Sequence, residues 1–171
     1  MEKQYKVILC GPLYDGVTAE WKQGWKLLID GKQIAEIGPQ VTVPEHAETI
    51  DLTKYQVTPG LIDAHMHMDY YDWHTIREEV YSQTEEAKTL AIARCAKKAL
   101  QRGFTTVRHT GGITSSGYGV LDVKRAIEAG YIEGARIVAS PLFMASAGSH
   151  GDLSQGFVRN PAVSGLLQKL T

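Results

Sequence analysis

The hydrophobic pattern of the first third of the chain has the period of β-strands. Three short apolar runs there have strand character: Tyr5–Leu9, Trp25–Ile29 and Gln33–Ile37. Asp30-Gly31 separates the last two runs and is a strong hairpin signal. Residues 48–52 alternate polar and apolar side chains, as a half-buried strand does. The pattern therefore predicts a small all-β unit over residues 1–58.

Residues 59–171 show a different pattern, in which strands alternate with helices. Leu61–Ala64 is an apolar run after the Pro59-Gly60 break, and it predicts a buried strand. The next predicted elements are a helix from a Ser82 capping box to about Arg102, a strand at Phe104–His109, a helix at Val120–Ala129 and a strand at Arg136–Ser140. Short connections between such elements are typical of right-handed βαβ units with a parallel sheet. Residues 161–171 have the composition of a short terminal helix.

The first predicted helix has an apolar stripe at helical spacing. The stripe consists of Ala87, Leu90, Ala91, Cys95, Ala99 and Leu100. Lysines and arginines fill the other positions, so we expect Lys88, Arg94 and Lys97 to face solvent. Cys95 is then a core thiol and not a nucleophile.

Composition and charge exclude several classes of function. The chain is 43% hydrophobic with a formal net charge of −1, which gives no electrostatic reason to expect nucleic acid or an anionic membrane as partner. It has no apolar run of 18 residues and no signal-peptide core. Cys10 and Cys95 are isolated and lack metal-type or redox-type spacing. We expect a cytoplasmic protein.

The candidate chemistry begins at the end of the strand that starts at Leu61. His65 and His67 are two residues apart, so their side chains lie on the same side of an extended backbone. Met66 between them faces the opposite side, where packing is expected. Two adjacent imidazoles are suitable nitrogen ligands for zinc, iron, manganese or nickel. A His-x-His pair taken without its neighbours has another interpretation, in which the two histidines are ordinary polar residues at a strand end.

The residues around the pair favour the metal interpretation. Pro59-Gly60-Leu61-Ile62-Asp63-Ala64-His65-Met66-His67 resembles the first metal-ligand motif of the amidohydrolase superfamily. The resemblance extends from about residue 7 to residue 152 and is strongest to the Xaa-Pro dipeptidase and imidazolonepropionase-like subgroup. It implies an α/β fold, a partial (β/α)8 TIM barrel of about three β/α units over residues 59–171. It also implies that residues 1–58 form the small β-sandwich that precedes the barrel.

The resemblance assigns roles to a few residues and leaves others open. It makes His65 and His67 metal ligands, with zinc the expected divalent metal and one or two ions in the complete enzyme. Arg108 and His150 are candidate substrate-binding residues; the alternatives are an internal salt bridge for Arg108 and a flexible-loop histidine for His150. His74 is either a substrate contact or a solvated loop residue. The chain also departs from the subgroup, because Val-Arg-Asp is usual where it has Val107-Arg108-His109.

The function implied by the resemblance is metal-dependent hydrolysis of an amide or other C–N bond in a dipeptide-like or N-acyl amino acid substrate. The remaining ligands and the catalytic aspartate of that family have no counterpart before Thr171. A complete barrel takes roughly 250 residues. We therefore expect the chain to be an N-terminal portion, inactive alone.

Two alternatives to an enzyme portion stay open from the sequence. One is a non-catalytic protein that folds as a dimer or other oligomer, and the other is a small metal-binding module. An incomplete barrel exposes a strand edge and apolar faces, so we expect a homo-oligomer and not a monomer.

Overall fold

The computed structural model describes residues 5–69, 84–112, 118–142 and 146. The chain is a mixed α/β protein that divides into two compact units, Met1–Pro59 and Gly60–Thr171. His74, His150 and the predicted terminal helix at 161–171 lie outside the described residues. No helix in the described ranges is long and apolar enough to span a membrane.

The first unit is built from strands, as the sequence predicts. They are β1 (Tyr5–Cys10), β2 (Leu13–Tyr14), β3 (Trp21–Lys22), β4 (Lys26–Asp30), β5 (Gln33–Gly38) and β6 (Glu48–Leu52). Four of them form a sheet in the order β5-β4-β1-β6, and β2 pairs with β3 in a separate ribbon. β1 runs antiparallel to β4 and parallel to β6. The two-residue strands β2 and β3 are too short for a periodic pattern, and the sequence did not predict them.

The hairpin between β4 and β5 is confirmed, but its turn lies one residue further along than predicted. Asp30 pairs with Gln33, so the connecting residues are Gly31 and Lys32. Gly31 has a φ of 61°, a conformation that glycine adopts without the steric cost of a Cβ. Asp30 therefore belongs to the strand and Gly31 opens the turn.

The second unit alternates strands and helices. Its elements are β7 (Leu61–Met66), α1 (Glu85–Gln101), β8 (Phe104–Gly112), α2 (Gly119–Glu128) and β9 (Arg136–Leu142). The strands form one sheet in the order β7-β8-β9, and both pairs are parallel. The predicted parallel sheet with intervening helices is therefore confirmed, because the helical connections bring each new strand back alongside the previous one in the same direction.

Helix α1 begins two residues later than the capping-box prediction required. Its N-cap is Thr84, whose Oγ1 accepts a hydrogen bond of 3.2 Å from the backbone N–H of Ala87. Glu85 is then the first helical residue and not the N3 partner of a Ser82 cap. The prediction with Ser82 was wrong because Thr84 is also a favourable capping residue, and a sequence pattern alone does not choose between them.

The apolar stripe on α1 was also predicted on a shifted face. The buried positions are Lys88, Ala91, Ile92, Ala96 and Ala99, whereas Leu90 is 69% exposed. The buried face consists mainly of alanines, which let the helix approach the sheet closely. Lys88 joins this face, against expectation, and its ammonium lies 3.4 Å from Glu85 Oε1. A paired lysine can bury its alkyl stem in this way.

The core of the second unit lies between the helices and one face of the sheet. Its buried residues are Met68, Ile92, Ala96, Ala99, Val107, Val120, Val123, Ala135 and Ile137. The prediction that β7 is a buried strand was wrong. Within the described ranges β7 pairs only with β8, and its Leu61 and Ile62 are 51% and 69% exposed.

Candidate functional site

Two histidines lie side by side at the carboxyl end of β7. The ring centroids of His65 and His67 are 5.3 Å apart, with the ring planes at 84°. His65 is exposed and His67 is half-buried. Met66 packs against the core between the sheet and the helices, as predicted from strand alternation. The backbone N–H of His65 donates to Asp63 Oδ1 over 3.0 Å, which fixes the chain before the pair.

The His67 ring is oriented by a backbone carbonyl at the end of β8. Its Nδ1 lies 2.7 Å from the carbonyl oxygen of Gly111. A carbonyl oxygen can only accept, so Nδ1 carries the proton and Nε2 of the neutral ring keeps its lone pair. Metal-binding histidines commonly donate their second ring N–H to a carbonyl or carboxylate in this way. Gly111 has a φ of 106°, which residues with a Cβ rarely adopt.

His109 lies directly behind this pair. Its side chain is only 1% exposed, and its ring centroid is 6.4 Å from that of His67. The backbone N–H of Met68 donates to His109 Nδ1 over 3.2 Å, so that nitrogen is an acceptor. Burial lowers the pKa of His109, the negative charge of Asp69 opposes that shift, and His67 adds a smaller lowering effect. The bond and the burial both favour a neutral ring.

The Asp69 carboxylate completes the cluster at Gly112. Asp69 is only 5% exposed. A Cβ added to Gly112 would overlap Asp69 Oδ2 and would come within 3.1 Å of His109 Nε2. The carboxylate and the imidazole therefore meet above the same glycine, which leaves no room for a side chain there.

Arg108 lies on the other face of β8 from His109. Strand alternation separates the buried residues Val107 and His109 from Arg108, which is exposed. Met66 pairs in register with His109, so His65 beside Met66 lies on the same sheet face as Arg108. Within the described ranges no ion pair involves Arg108. The internal salt bridge considered from the sequence is not found there.

The described residues offer at most part of the donor set that a metal ion needs. In the described part of the chain, no group of three or more histidine, cysteine, aspartate or glutamate side chains could hold a metal ion. His65 and His67 each carry an imidazole nitrogen of the kind that binds divalent cations, and the Gly111 bond engages Nδ1 of the His67 ring. Two protein ligands alone leave most coordination positions of zinc to other groups.

Three contributors to the site were not assigned a role from the sequence. They are Gly111, Asp69 and His109, of which the sequence singles out only His109, as a departure from the motif of the subgroup. The signal for His109 was its position, because the subgroup usually has an aspartate there. A histidine that is buried at such a position needs a hydrogen-bond partner of its own. The paired glycines Gly111-Gly112 were the other signal of a close backbone approach.

Comparisons with known proteins show which family the chain resembles. The sequence profile of the Amidohydrolase family matches residues 56–162. A dihydroorotase of Mycobacterium tuberculosis is 43% identical over 42 residues, which are 25% of this chain and 10% of that enzyme. The structure of a Xaa-Pro dipeptidase with methionine bound in its active site superposes with a TM-score of 0.77 at 28% identity, covering 90% of this chain and 37% of the dipeptidase.

A further solved structure, of molinate hydrolase, has a TM-score of 0.70 at 25% identity and covers 84% of this chain and 31% of that protein. The chain thus spans about a third of the solved relatives it resembles and a smaller part of the curated ones. The matched residues contain the His-x-His strand and both following strands, which is more than half of the chain. The chain belongs to the amidohydrolase family.

Proposed function

We propose that this chain supplies the first metal ligands of a metal-dependent hydrolase that cleaves an amide or other C–N bond. The observation that carries the proposal is the bond from His67 Nδ1 to the Gly111 carbonyl, in a ring whose centroid lies 5.3 Å from that of His65. Because this bond engages Nδ1, Nε2 is the nitrogen with which His67 would coordinate the ion. Zinc is the expected ion, because imidazole nitrogen is among its preferred ligands. Substrates are expected to be dipeptide-like or N-acyl amino acids, since a Xaa-Pro dipeptidase is among the structural relatives.

A bound divalent ion would lower the pKa of a coordinated water and polarise the scissile carbonyl. The chain's own residues would hold the ion and orient the ligands and the substrate. His65 and His67 would bind the ion, and Gly111 would keep the His67 ring from turning. Arg108, exposed on the sheet face that carries His65, is the proposed anchor for a substrate carboxylate. His150 is proposed as a second substrate contact on the grounds of the sequence resemblance alone.

The architecture we propose for the whole protein is a (β/α)8 barrel preceded by a β-sandwich. The parallel strands β7, β8 and β9 would be the first three barrel strands, and residues 1–58 would belong to the sandwich. The exposed face and the edge of β7 support this proposal, because a closed barrel covers both. The remaining ligands and the catalytic base would come from later strands, so this chain alone would be inactive.

A non-catalytic oligomer is the second candidate, and the exposed apolar residues of the sheet favour it. Leu61, Ile62 and Val138 are each at least half exposed. Association of two copies would cover them. Solution mass by sedimentation distinguishes the candidates when combined with metal analysis: a metal-free dimer favours the oligomer, and a stoichiometric metal favours the hydrolase.

The proposed metal role is tested by titrating the protein with Zn²⁺ against a chromophoric chelator. We expect His65→Ala and His67→Ala each to weaken binding clearly, because each removes one of two protein ligands. His46→Ala is the matched control, since His46 is exposed in the first unit. Equal affinity in all three variants would refute the metal site.

The proposed activity is tested on the full protein that contains this chain. Xaa-Pro dipeptides and N-acyl amino acids are the first substrates to screen, with and without added zinc. Hydrolysis that chelation abolishes and zinc restores is the expected result. Hydrolysis that is indifferent to both treatments would contradict the metal-dependent assignment.

A further inference from the structure

We propose that His109 is a positioning residue whose neutral, Nε2-protonated imidazole holds the segment from His67 to Asp69 against the end of β8. The hydrogen-bond geometry carries this assignment. Its consequence for metal binding rests on the proposed function, whereas its consequence for ring orientation does not.

The regular pairing of β7 and β8 is interrupted close to the histidine pair. The register between β7 and β8 shifts between Asp63 and Met66, and Met66 is the last residue of β7 to pair, opposite His109. The chain beyond Met66 therefore has no ladder of backbone bonds to β8. Two imidazole bonds replace it: His67 donates to the Gly111 carbonyl, and Met68 donates to His109.

The tautomer of His109 follows from its two surroundings. Nδ1 must carry a lone pair to accept the Met68 N–H, so the proton of the neutral ring is on Nε2. Nε2 lies next to Gly112, where the Asp69 carboxylate also lies. A ring N–H beside a buried carboxylate is favourable, and the opposite tautomer would place two lone pairs there and two hydrogens at Met68.

This arrangement links His67 and the residue after it to the same strand. His109 holds Met68 directly after His67, and Gly111 holds the His67 ring itself. His109 acts through its ring and Gly111 through its backbone carbonyl, and both groups belong to the last residues of β8. Loss of the Met68 bond would free the backbone on which the His67 ring depends.

The first test is ring-nitrogen NMR on metal-free protein with ¹⁵N-labelled histidine. We expect His109 to show the Nε2–H tautomer and His67 the Nδ1–H tautomer. In His109→Leu, which removes the acceptor, His67 should lose its single tautomer and show averaged ring-nitrogen shifts. In His109→Asn, His67 should retain its single tautomer, because Asn Oδ1 is the same number of bonds from the backbone as His Nδ1 and can accept the same hydrogen bond. An Nδ1–H tautomer at His109, or an unchanged His67 in His109→Leu, would overturn the assignment.

The second test is Zn²⁺ affinity of the same variants. Changing a residue that orients a metal ligand typically costs about 10–100-fold in affinity. We expect a loss in that range for His109→Leu, a loss of less than about threefold for His109→Asn by the same reasoning, and none for His46→Leu. Equal losses in the leucine and asparagine variants would refute positioning through the Met68 bond.

The two proposals fail in different ways. If His67→Ala leaves the Zn²⁺ affinity unchanged, the proposed metal function fails. The role of His109 in orienting His67 is decided separately, by the His67 tautomer in the wild-type protein and in the His109 variants. If His109→Leu does not fold, two other measurements decide the assignment. An Nδ1–H tautomer at His109 in the wild-type protein contradicts it, and so does loss of the single His67 tautomer in His109→Asn.

Discussion

The substitution Gly112→Ala tests whether the cluster at the end of β8 is as tightly closed as the structure indicates. The added Cβ would overlap Asp69 Oδ2 and come within 3.1 Å of His109 Nε2. Asp69 is 5% exposed and His109 is 1% exposed, so neither side chain can move into solvent without displacing other groups. We expect alanine at this position to destabilise the protein.

The magnitude follows from two opposing terms. Overpacking a closed site by one methyl group costs about 1–3 kcal/mol. Replacing glycine with alanine also reduces the entropy of the unfolded chain, which stabilises by about 0.4–1 kcal/mol where the backbone allows it. Gly112 has no positive φ, so the backbone does allow it. A net loss of about 0–2.6 kcal/mol in the free energy of unfolding remains.

The matched control is Gly38→Ala in the first unit. Gly38 has no positive φ, and a Cβ there would have no atom within 4 Å. The entropic term is common to both substitutions, so the difference between them isolates the overlap, about 1–3 kcal/mol. Urea unfolding measures both, and for a chain of this size each kcal/mol lowers the melting temperature by about 2–4 °C.

A double-mutant cycle identifies the group responsible. If the overlap with Asp69 is the cause, Gly112→Ala should cost much less in a protein that already carries Asp69→Ala, because the carboxylate is gone. Coupling energies between contacting residues are typically about 0.5–3 kcal/mol. Strict additivity, or a Gly112→Ala variant as stable as Gly38→Ala, would refute close packing around Gly112.

Three further predictions concern the second unit. Met68→Ala should lower the free energy of unfolding in urea by about 2–5 kcal/mol, because Met68 is 1% exposed and its truncation opens a cavity. Leu90→Ala, at a position that is 69% exposed, should change the stability little. Similar costs for the two variants would contradict the assigned core. Thr84→Ala should lower the free energy of unfolding by about 0.5–2 kcal/mol, because it removes the N-cap of α1. Ser82→Ala should lower it much less. The reverse order of the two variants would favour a capping box at Ser82. Burial raises the pKa of the Cys95 thiol, so its alkylation should need higher pH in the folded protein than in urea, where the ordinary thiolate fraction returns; identical pH profiles would contradict that.

The sequence predicted those parts of the fold that depend on local pattern. The parallel strands β8 and β9 were predicted because β-branched runs follow helices that end at glycine. The hairpin of β4 and β5 was predicted because Asp30-Gly31 favours a tight turn. The burial of β7 was not, since the same apolar run suits a central strand or an edge strand, and only pairing partners distinguish them. Local pattern predicts an element better than it predicts its neighbours.

The site shows the same limit for a different physical reason. Strand periodicity was enough to place His65 and His67 together, because their relation is two residues along one backbone. The contacts that orient them join residues about forty positions apart: Gly111 to His67 and His109 to Met68. Those bonds depend on the register of two parallel strands, and a shift of one residue would exchange His109 for Arg108 beneath the loop. The register is irregular at this very point, so the orientation of the candidate ligands depends on imidazole bonds that no spacing rule encodes.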